Sequence, residues 1–123
     1  IDRMKKRKDL NDAALEMIAN RFKLLSEPTR LKILHTLGDR EMNVSELVAA
    51  TGANQANVSK HLGILYDAGV VTRRKDGLTV NYRVADETIF ELCDVVCSRL
   101  KTHFDLRRLS LNQLLQDIDP AAE

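Results

Sequence analysis

The stretch NQANVSKHLGILYDAG at 54–69 opens with short hydrogen-bonding side chains and closes with apolar ones. Gln55, Asn57, Ser59, Lys60 and His61 crowd its first turns, whereas Leu62, Ile64 and Leu65 fill the later ones. Gln and Asn can pair bidentately with adenine, while Lys and His can donate to guanine or to phosphate. The following segment, VVTRRKDGLTVNYRV, supplies Arg73, Arg74, Lys75 and Arg83 around Asp76-Gly77. Cations beside such a helix suit a grip on phosphates, which sets register without reading sequence.

A second chemistry lies at Cys93 and Cys97, the two cysteines of the chain. On a helix, i,i+4 spacing separates the thiols by about 6 Å along the axis and about 40° around it, so they share a face. Helical Cβ atoms at that spacing lie about 5–6 Å apart, whereas a disulfide needs about 3.8 Å. A soft ion with metal–sulfur bonds of about 2.3 Å would span the pair, as would a short polysulfide. Soft thiolates favour arsenite, Cd, Pb, Cu(I) or Zn over hard ions. The competing reading is packing alone, because cysteine is a small hydrophobe and both lie in an apolar stripe. His35 and His103 are the candidates to complete a metal site across an interface.

Positioning these residues requires a definite order of elements. Residues 11–25 place Ala14, Leu15, Ile18, Phe22 and Leu25 at helical spacing. Pro28 suits the first turn of a second helix, 28–38, carrying Leu31, Ile33, Leu34 and Leu37 and stopped by Gly38. Ser45 is expected to cap a short third helix ending at Gly52, and Asn54 to cap a fourth ending at Gly69. The few residues around Gly52 make this pair a helix-turn-helix. Strands are expected at about 70–75 and 79–84, joined by a type I′ turn on Asp76-Gly77. Asp86 is expected to cap a long fifth helix bearing Ile89, Phe90, Leu92, Cys93, Val96, Cys97 and Leu100. A weaker apolar pattern continues through Phe104, Leu106, Leu109, Leu111, Leu114, Leu115 and Ile118 to a stop at Pro120.

The expected fold is mainly α with a small β-hairpin wing, a winged helix-turn-helix, as a single domain over 1–123. Its parts are a basic N-terminal arm at 1–10, a DNA-binding core and wing at 28–84, and dimerisation helices at 11–25 and 86–118. A core this small cannot cover both flanking apolar stripes, which predicts a homodimer packed through the first and last helices. Two reading helices about 34 Å apart would then face one side of a palindromic duplex.

Composition narrows the partners. The chain has 123 residues, 44% hydrophobic and 30% charged, a soluble globular balance. With no Trp and 4% aromatic residues, an aromatic platform for single-stranded nucleic acid or RNA is disfavoured. A net charge of +1 is weak for a nucleic-acid binder, so the placement of charge decides the matter. Arg3, Lys5, Lys6, Arg7 and Lys8 crowd the start, the hairpin holds further bases, and Asp117, Asp119 and Glu123 lie near the end. The basic start is either part of the DNA contact or a solvated face. No membrane-spanning run and no signal-peptide h-region follow it. Two cysteines without an export signal predict the reducing cytoplasm. Double-stranded operator DNA is the expected partner, with no membrane and no cofactor required for DNA binding. A redox enzyme would need Cys-x-x-Cys at a helix N-terminus to lower a thiol pKa, and no Ser-His-Asp or paired-carboxylate set occurs, so no enzyme is expected. A winged helix turned to protein contacts would betray itself by weak, salt-insensitive DNA binding.

The residues themselves resemble the ArsR/SmtB family of bacterial metal- and thiol-responsive repressors over roughly residues 14–100. The resemblance is carried by LSEPTRLKILHTL at 25–37, VSELVAATGANQANVSKHLGILYDAGVV at 44–71 and the wing DGLTVNYRV at 76–84. Within it stand Ser59, His61-Leu62, Leu65, Ala68-Gly69 and Val71 at the family's spacing. It implies a dimeric repressor that leaves operator DNA when a metal ion, metalloid or reactive sulfur species meets an inducer site. Gln55, Asn57, Ser59, Lys60 and His61 fall where the family's reading helix faces DNA. Arg73, Arg74, Lys75 and Arg83 would touch phosphate or the minor groove, with Tyr82 packed at the wing base.

The family's better-known inducer sites are not matched. Arsenic repressors carry cysteines where this chain has Ala53-Asn54-Gln55-Ala56. Of the zinc-sensor ligands Asp86 remains, but Thr88, Arg99 and Thr102 occupy the other places. Persulfide sensors pair a second-helix cysteine with one in the fifth, and His35 stands at the first position. Cys93 and Cys97 remain as the expected seat of a thiophilic inducer: arsenite, a soft metal ion or a persulfide.

Overall fold

A computed structural model describes residues 9–118, apart from the side chains at 106, 109, 110 and 114–118. The basic residues Arg3, Lys5, Lys6, Arg7 and Lys8, together with Asp119, Pro120 and Glu123, lie outside the described residues, as do the side chains of Leu106, Leu109, Leu114, Leu115, Asp117 and Ile118. The chain divides into two units, one up to Asp86 and one from Glu87. The first holds α1 (Asp12–Leu25), α2 (Pro28–Leu37), β1 (Met42–Asn43), α3 (Val44–Thr51), α4 (Gln55–Asp67), β2 (Val71–Asp76) and β3 (Thr79–Val84). The second is the helix α5 (Thr88–Ile118).

Local chemistry sets most of these boundaries. Asn11 caps α1 by accepting from the Ala14 N–H at 2.8 Å. Glu27 caps α2 by accepting from the Arg30 N–H at 3.2 Å, with Pro28 in the first turn. Gly38 ends α2 at φ +55°, where a side chain would be strained. Asn54 caps α4 by accepting from the Asn57 N–H at 2.8 Å.

The third helix corrects the sequence reading. Its cap is Asn43 rather than Ser45, and the helix starts at Val44. Asn43 Oδ1 accepts from the Glu46 N–H at 2.9 Å while Glu46 Oε1 accepts from the Asn43 N–H at 3.0 Å. That reciprocal pair satisfies two helix-end donors at once, which Ser45, with Val48 three residues on, cannot arrange.

The sheet corrects it twice more. Its order is β1-β3-β2, all antiparallel, so a short strand unseen in the sequence joins the hairpin. In the hairpin, Asp76 pairs with Thr79, which makes Gly77 and Leu78 the central turn residues. Gly77 has φ +63° and no non-glycine residue among the described ones, Leu78 included, has positive φ, so the turn has the type II′ pattern rather than type I′.

Ile33, Leu34 and Leu37 of α2, Leu47 of α3, and Val58, Leu62 and Leu65 of α4 are fully buried. Val70 and Val71 continue that core into the sheet, where Met42 and Val84 join it. The join is tight: the Val70 N–H donates to Leu65 O at 2.9 Å, and the Ala85 N–H donates to Val70 O at 2.8 Å. On α1, by contrast, Leu15, Met17, Ile18 and Phe22 are exposed and only Leu25 is buried. Helix α5 starts two residues beyond Asp86, runs for 31 residues, and exposes Val95, Val96, Leu100, Phe104 and Leu111. No helix among the described residues is long and apolar enough to cross a membrane.

Candidate nucleic-acid interface

Helix α4 meets opposite demands on its two sides. Val58, Leu62 and Leu65 recur at i, i+4 and i+7 and fill the core. Gln55, Asn57, Ser59 and Lys60 are exposed, and among the described residues their side chains make no internal hydrogen bond or ion pair. Ala56, Lys60 and Gly63 lie opposite the buried stripe at helical spacing. A Cβ built on Gly63 would meet nothing within 4 Å. Glycine inside a helix costs about 0.5–1 kcal/mol relative to alanine, and no contact within the chain asks for it here.

His61 departs from the expectation that it faces DNA. It is 8% exposed, because it sits three residues after Val58 and four before Leu65, on the inward side. Its Nδ1 is 3.3 Å from Arg30 Nη1, and its Nε2 is 3.4 Å from Glu27 Oε2. Arginine offers donors alone, so Nδ1 accepts and the Nε2 proton faces Glu27. Arg30 Nε also donates to Leu24 O at 2.6 Å. One polar contact therefore ties the end of α1, the start of α2 and the middle of α4. Burial pushes the Glu27 carboxyl up, but the Thr29 and Arg30 N–H groups and the nearby His61 and Arg30 outweigh it and leave it below the ordinary carboxylate range. Its stabilising contribution is thus present above that range and is lost as pH falls through the lowered value.

The wing divides its cations between two faces of the sheet. Arg74 grips Glu41 with two bonds, Nη2 to Oε1 at 2.9 Å and Nε to Oε2 at 3.2 Å. Arg74 Nη1 also lies 3.8 Å from Asp76 Oδ2. Arg83 Nη2 donates to Asp39 O at 3.0 Å. These two arginines are therefore engaged with the loop between α2 and β1, where the sequence reading had them on DNA. The Arg74 guanidinium holds the Glu41 carboxyl below its usual range, so this anchor survives until pH drops through that lowered value. Arg73 lies on the other face, with Cζ 3.9 Å from the centroid of the Tyr66 ring. Tyr82, directly across the ladder and half-buried at the wing base, acts foremost, with Tyr66, to hold the Arg73 guanidinium above its ordinary range. Lys75 is exposed and has no internal partner among the described residues.

The thiols occupy α5, Cys93 half-buried and Cys97 exposed. Burial pushes the Cys93 thiol up, and Asp94 and Cys97 push it further. His103, six residues past Cys97, falls about 240° around the helix and stands edge-on to Phe104 at 5.9 Å. His35 lies on α2 with Nδ1 2.9 Å from Leu31 O. Among the described residues, no three His, Cys, Asp or Glu side chains are grouped to hold a metal ion. Sequence reasoning missed Glu27, Arg30, Glu41 and Tyr66 as supports of this surface. The signals were present: an acid and an arginine at the two ends of the 27–30 segment, an acid at 41 ahead of the basic wing, and a tyrosine in the last turn of the reading helix.

Residues 27–73, from the α2 cap to the first wing strand, match the model of the bacterial regulatory protein, arsR family. The biofilm growth-associated repressor of Xylella fastidiosa is 33% identical over 90 residues, which are 73% of this chain and 78% of that one. The chain belongs to the arsR family. Similar relatives include the HTH-type transcriptional regulator KmtR of Mycobacterium tuberculosis, 37% identical over 68% of this chain and 64% of its own length. A probable mercury resistance operon repressor of Streptomyces lividans is 39% identical over 58% of this chain and 57% of its own length. The chain spans 64–66% of the length of the first curated relatives it matches. Among solved structures, Mycobacterium tuberculosis Rv0081 superposes with a TM-score of 0.69 at 35% identity, covering 79% of this chain and 98% of that one. The homodimeric winged helix-turn-helix DNA-binding domain Mb0332 of Mycobacterium bovis gives 0.65 at 31% identity, covering 79% and 93%. These are regulatory proteins, and the fold they share with this chain is a winged helix-turn-helix, as the sequence predicts.

The position of His61 yields a direct test of the arsR-family core. His61→Ala removes the partner of Arg30 and Glu27 and opens a cavity, so it should cost about 2–3 kcal/mol in urea unfolding. Lys60→Ala, one residue away on the bare face, should stay within about 0.5 kcal/mol. Equal effects would mean that His61 points outward.

Proposed function

We propose that this protein is a dimeric transcriptional repressor whose α4 reads the major groove of a palindromic operator. The observation that carries the reading is the bare polar face of α4: Gln55, Asn57, Ser59 and Lys60 have no partners among the described residues. Exposed donors and acceptors on a helix backed by a rigid core suit base-edge contacts, and Lys75 beside them suits a phosphate. Leu15, Ile18 and Phe22 on α1 and the exposed apolar residues of α5 are the surfaces proposed for the second copy.

Soft inducers are proposed to act at Cys93 and Cys97. A thiol pushed up by burial is a poor nucleophile on its own, which favours a ligand that displaces its proton, such as arsenite or a soft metal ion. Two thiolates suffice for a two-coordinate ion, and a four-coordinate one would draw donors from the second copy. The mercury-related name of one relative is in keeping with that chemistry.

Binding to operator duplexes across a salt series tests the first part. With about 6–8 phosphates held per dimer, log K should fall against log salt with a slope of about −6, and a slope close to zero overturns the reading. Gln55→Ala should relax discrimination at one base position by about 1–3 kcal/mol.

Gly63→Ala separates stability from binding. It should raise unfolding stability by about 0.5–1 kcal/mol yet weaken every duplex, because a methyl group would stand between α4 and DNA. Unchanged binding would place Gly63 outside the contact.

The cysteines are tested by release. Cys93→Ser and Cys97→Ser should leave operator affinity nearly intact and abolish a response to arsenite or Cd that, in the parent, lowers affinity about 5- to 150-fold. Normal release from the double serine variant would end the role of this pair.

A further inference from the structure

Three of the four wing cations are committed inside the chain, and Arg73 is committed in an unusual way. Its Cζ lies over the Tyr66 ring, 3.9 Å from the centroid, a cation–π contact. Tyr66 belongs to the last turns of α4, and Arg73 belongs to β2. In the ladder Arg73 pairs directly with Tyr82, so both side chains stand on the same face of the sheet. That face is also the one that carries the buried Val71 and Val84. One side chain thus bridges the helix that would read DNA to the hairpin that would flank it. On the opposite sheet face, Arg74 with Glu41 and Arg83 with Asp39 fix the hairpin to the loop before β1. The wing is held from both sides.

We propose that Arg73 acts through Tyr66 as a positioning residue, setting the angle between wing and α4, and that Lys75 is the wing's phosphate ligand. The proposal rests on the operator-binding reading above. A wing whose angle is preset need not be ordered at the moment of binding, so its phosphate contact carries less entropic cost. Lysine substitutes poorly at such a site, because its compact ammonium is more strongly hydrated than the delocalised guanidinium and gives up more on leaving water for a ring face.

The test is a salt series on operator binding with Arg73→Gln, Arg73→Lys, Tyr66→Leu and Lys75→Gln dimers, each checked for folding by circular dichroism. Lys75→Gln should shallow the slope of log K against log salt by about 1.8, two phosphates per dimer. Arg73→Gln should weaken all duplexes about fivefold with the slope unchanged. Tyr66→Leu and Arg73→Lys should reproduce that loss, and the double variant Arg73→Gln/Tyr66→Leu should be no weaker than either single one. A shallower slope in Arg73→Gln, or full rescue by Arg73→Lys, overturns the proposal and returns Arg73 to the phosphates.

Amide hydrogen exchange in the free protein keeps the two readings apart. Exchange across β2 and β3 should quicken in Arg73→Gln and Tyr66→Leu but not in Lys75→Gln. Unchanged exchange overturns the clasp even if operator binding stands. Quickened exchange in those two variants, when the parent protein binds no duplex, upholds the clasp while the operator reading falls.

Discussion

The rotation of α4 about its own axis is the constraint on which the rest of the structure hangs. Val58, Leu62 and Leu65 are fully buried, and each contributes about 1.5–3 kcal/mol by leaving water. Turning the helix by one residue, about 100°, would expose that stripe and bury Ser59 or Lys60 without partners. Both costs act in the same direction, so the polar face has one orientation available to it. His61 then falls inward, and Glu27 and Arg30 supply the hydrogen-bonding partners its ring needs there. Because Leu65 O accepts from the Val70 N–H, the same rotation also sets where the chain enters the sheet. The wing inherits its place from the helix.

How much of this can be read from the residues depends on how local the cause is. Pro28, Gly38, Gly52 and Asn54 act within one turn of their own positions, and the helices they bound lie where the sequence predicts. Asn43 against Ser45 is a case where the signal was present but weaker than its rival: both residues cap helices, and only Asn43 has an acid three residues on. Strand β1 was illegible because two residues have no periodicity, and its pairing with Asn81 and Tyr82 reaches across α3, α4 and β2. The hairpin turn depended on register, since Asp-Gly suits type I′ only if both residues are central, and here Asp76 is still paired.

The candidate site shows the same division. That Gln55, Asn57, Ser59 and Lys60 are bare follows from polarity and spacing along one helix. His61 reads as polar in any binary pattern, and only its distance from Val58 and Leu65 reveals that it turns inward. For the wing, strand alternation separates Arg73 from Arg74, but placing Arg83 beside Arg74 needs the cross-strand register. The acceptors that occupy them, Glu41 and the Asp39 carbonyl, lie more than 30 residues away in sequence.

Charge placement bears on why a second copy matters. With Arg74 and Arg83 turned to Glu41 and Asp39, and Arg73 over the Tyr66 ring, Lys60 and Lys75 are the cations of helix and wing that have no internal partner among the described residues. A lone protomer holds only half of the dimer's phosphates, releases half of the counterions, and would bind weakly at physiological salt. Linking two such surfaces makes the second engagement intramolecular, and that gain exists only while both reading helices match the helical repeat. Affinity built this way is sensitive to spacing more than to any single contact. In the proposed dimer a ligand need not approach α4 to end it: a change in how α5 packs against its mate would suffice. The thiols on α5, at one-turn spacing, are the proposed seat of a bridging ligand that makes such a change.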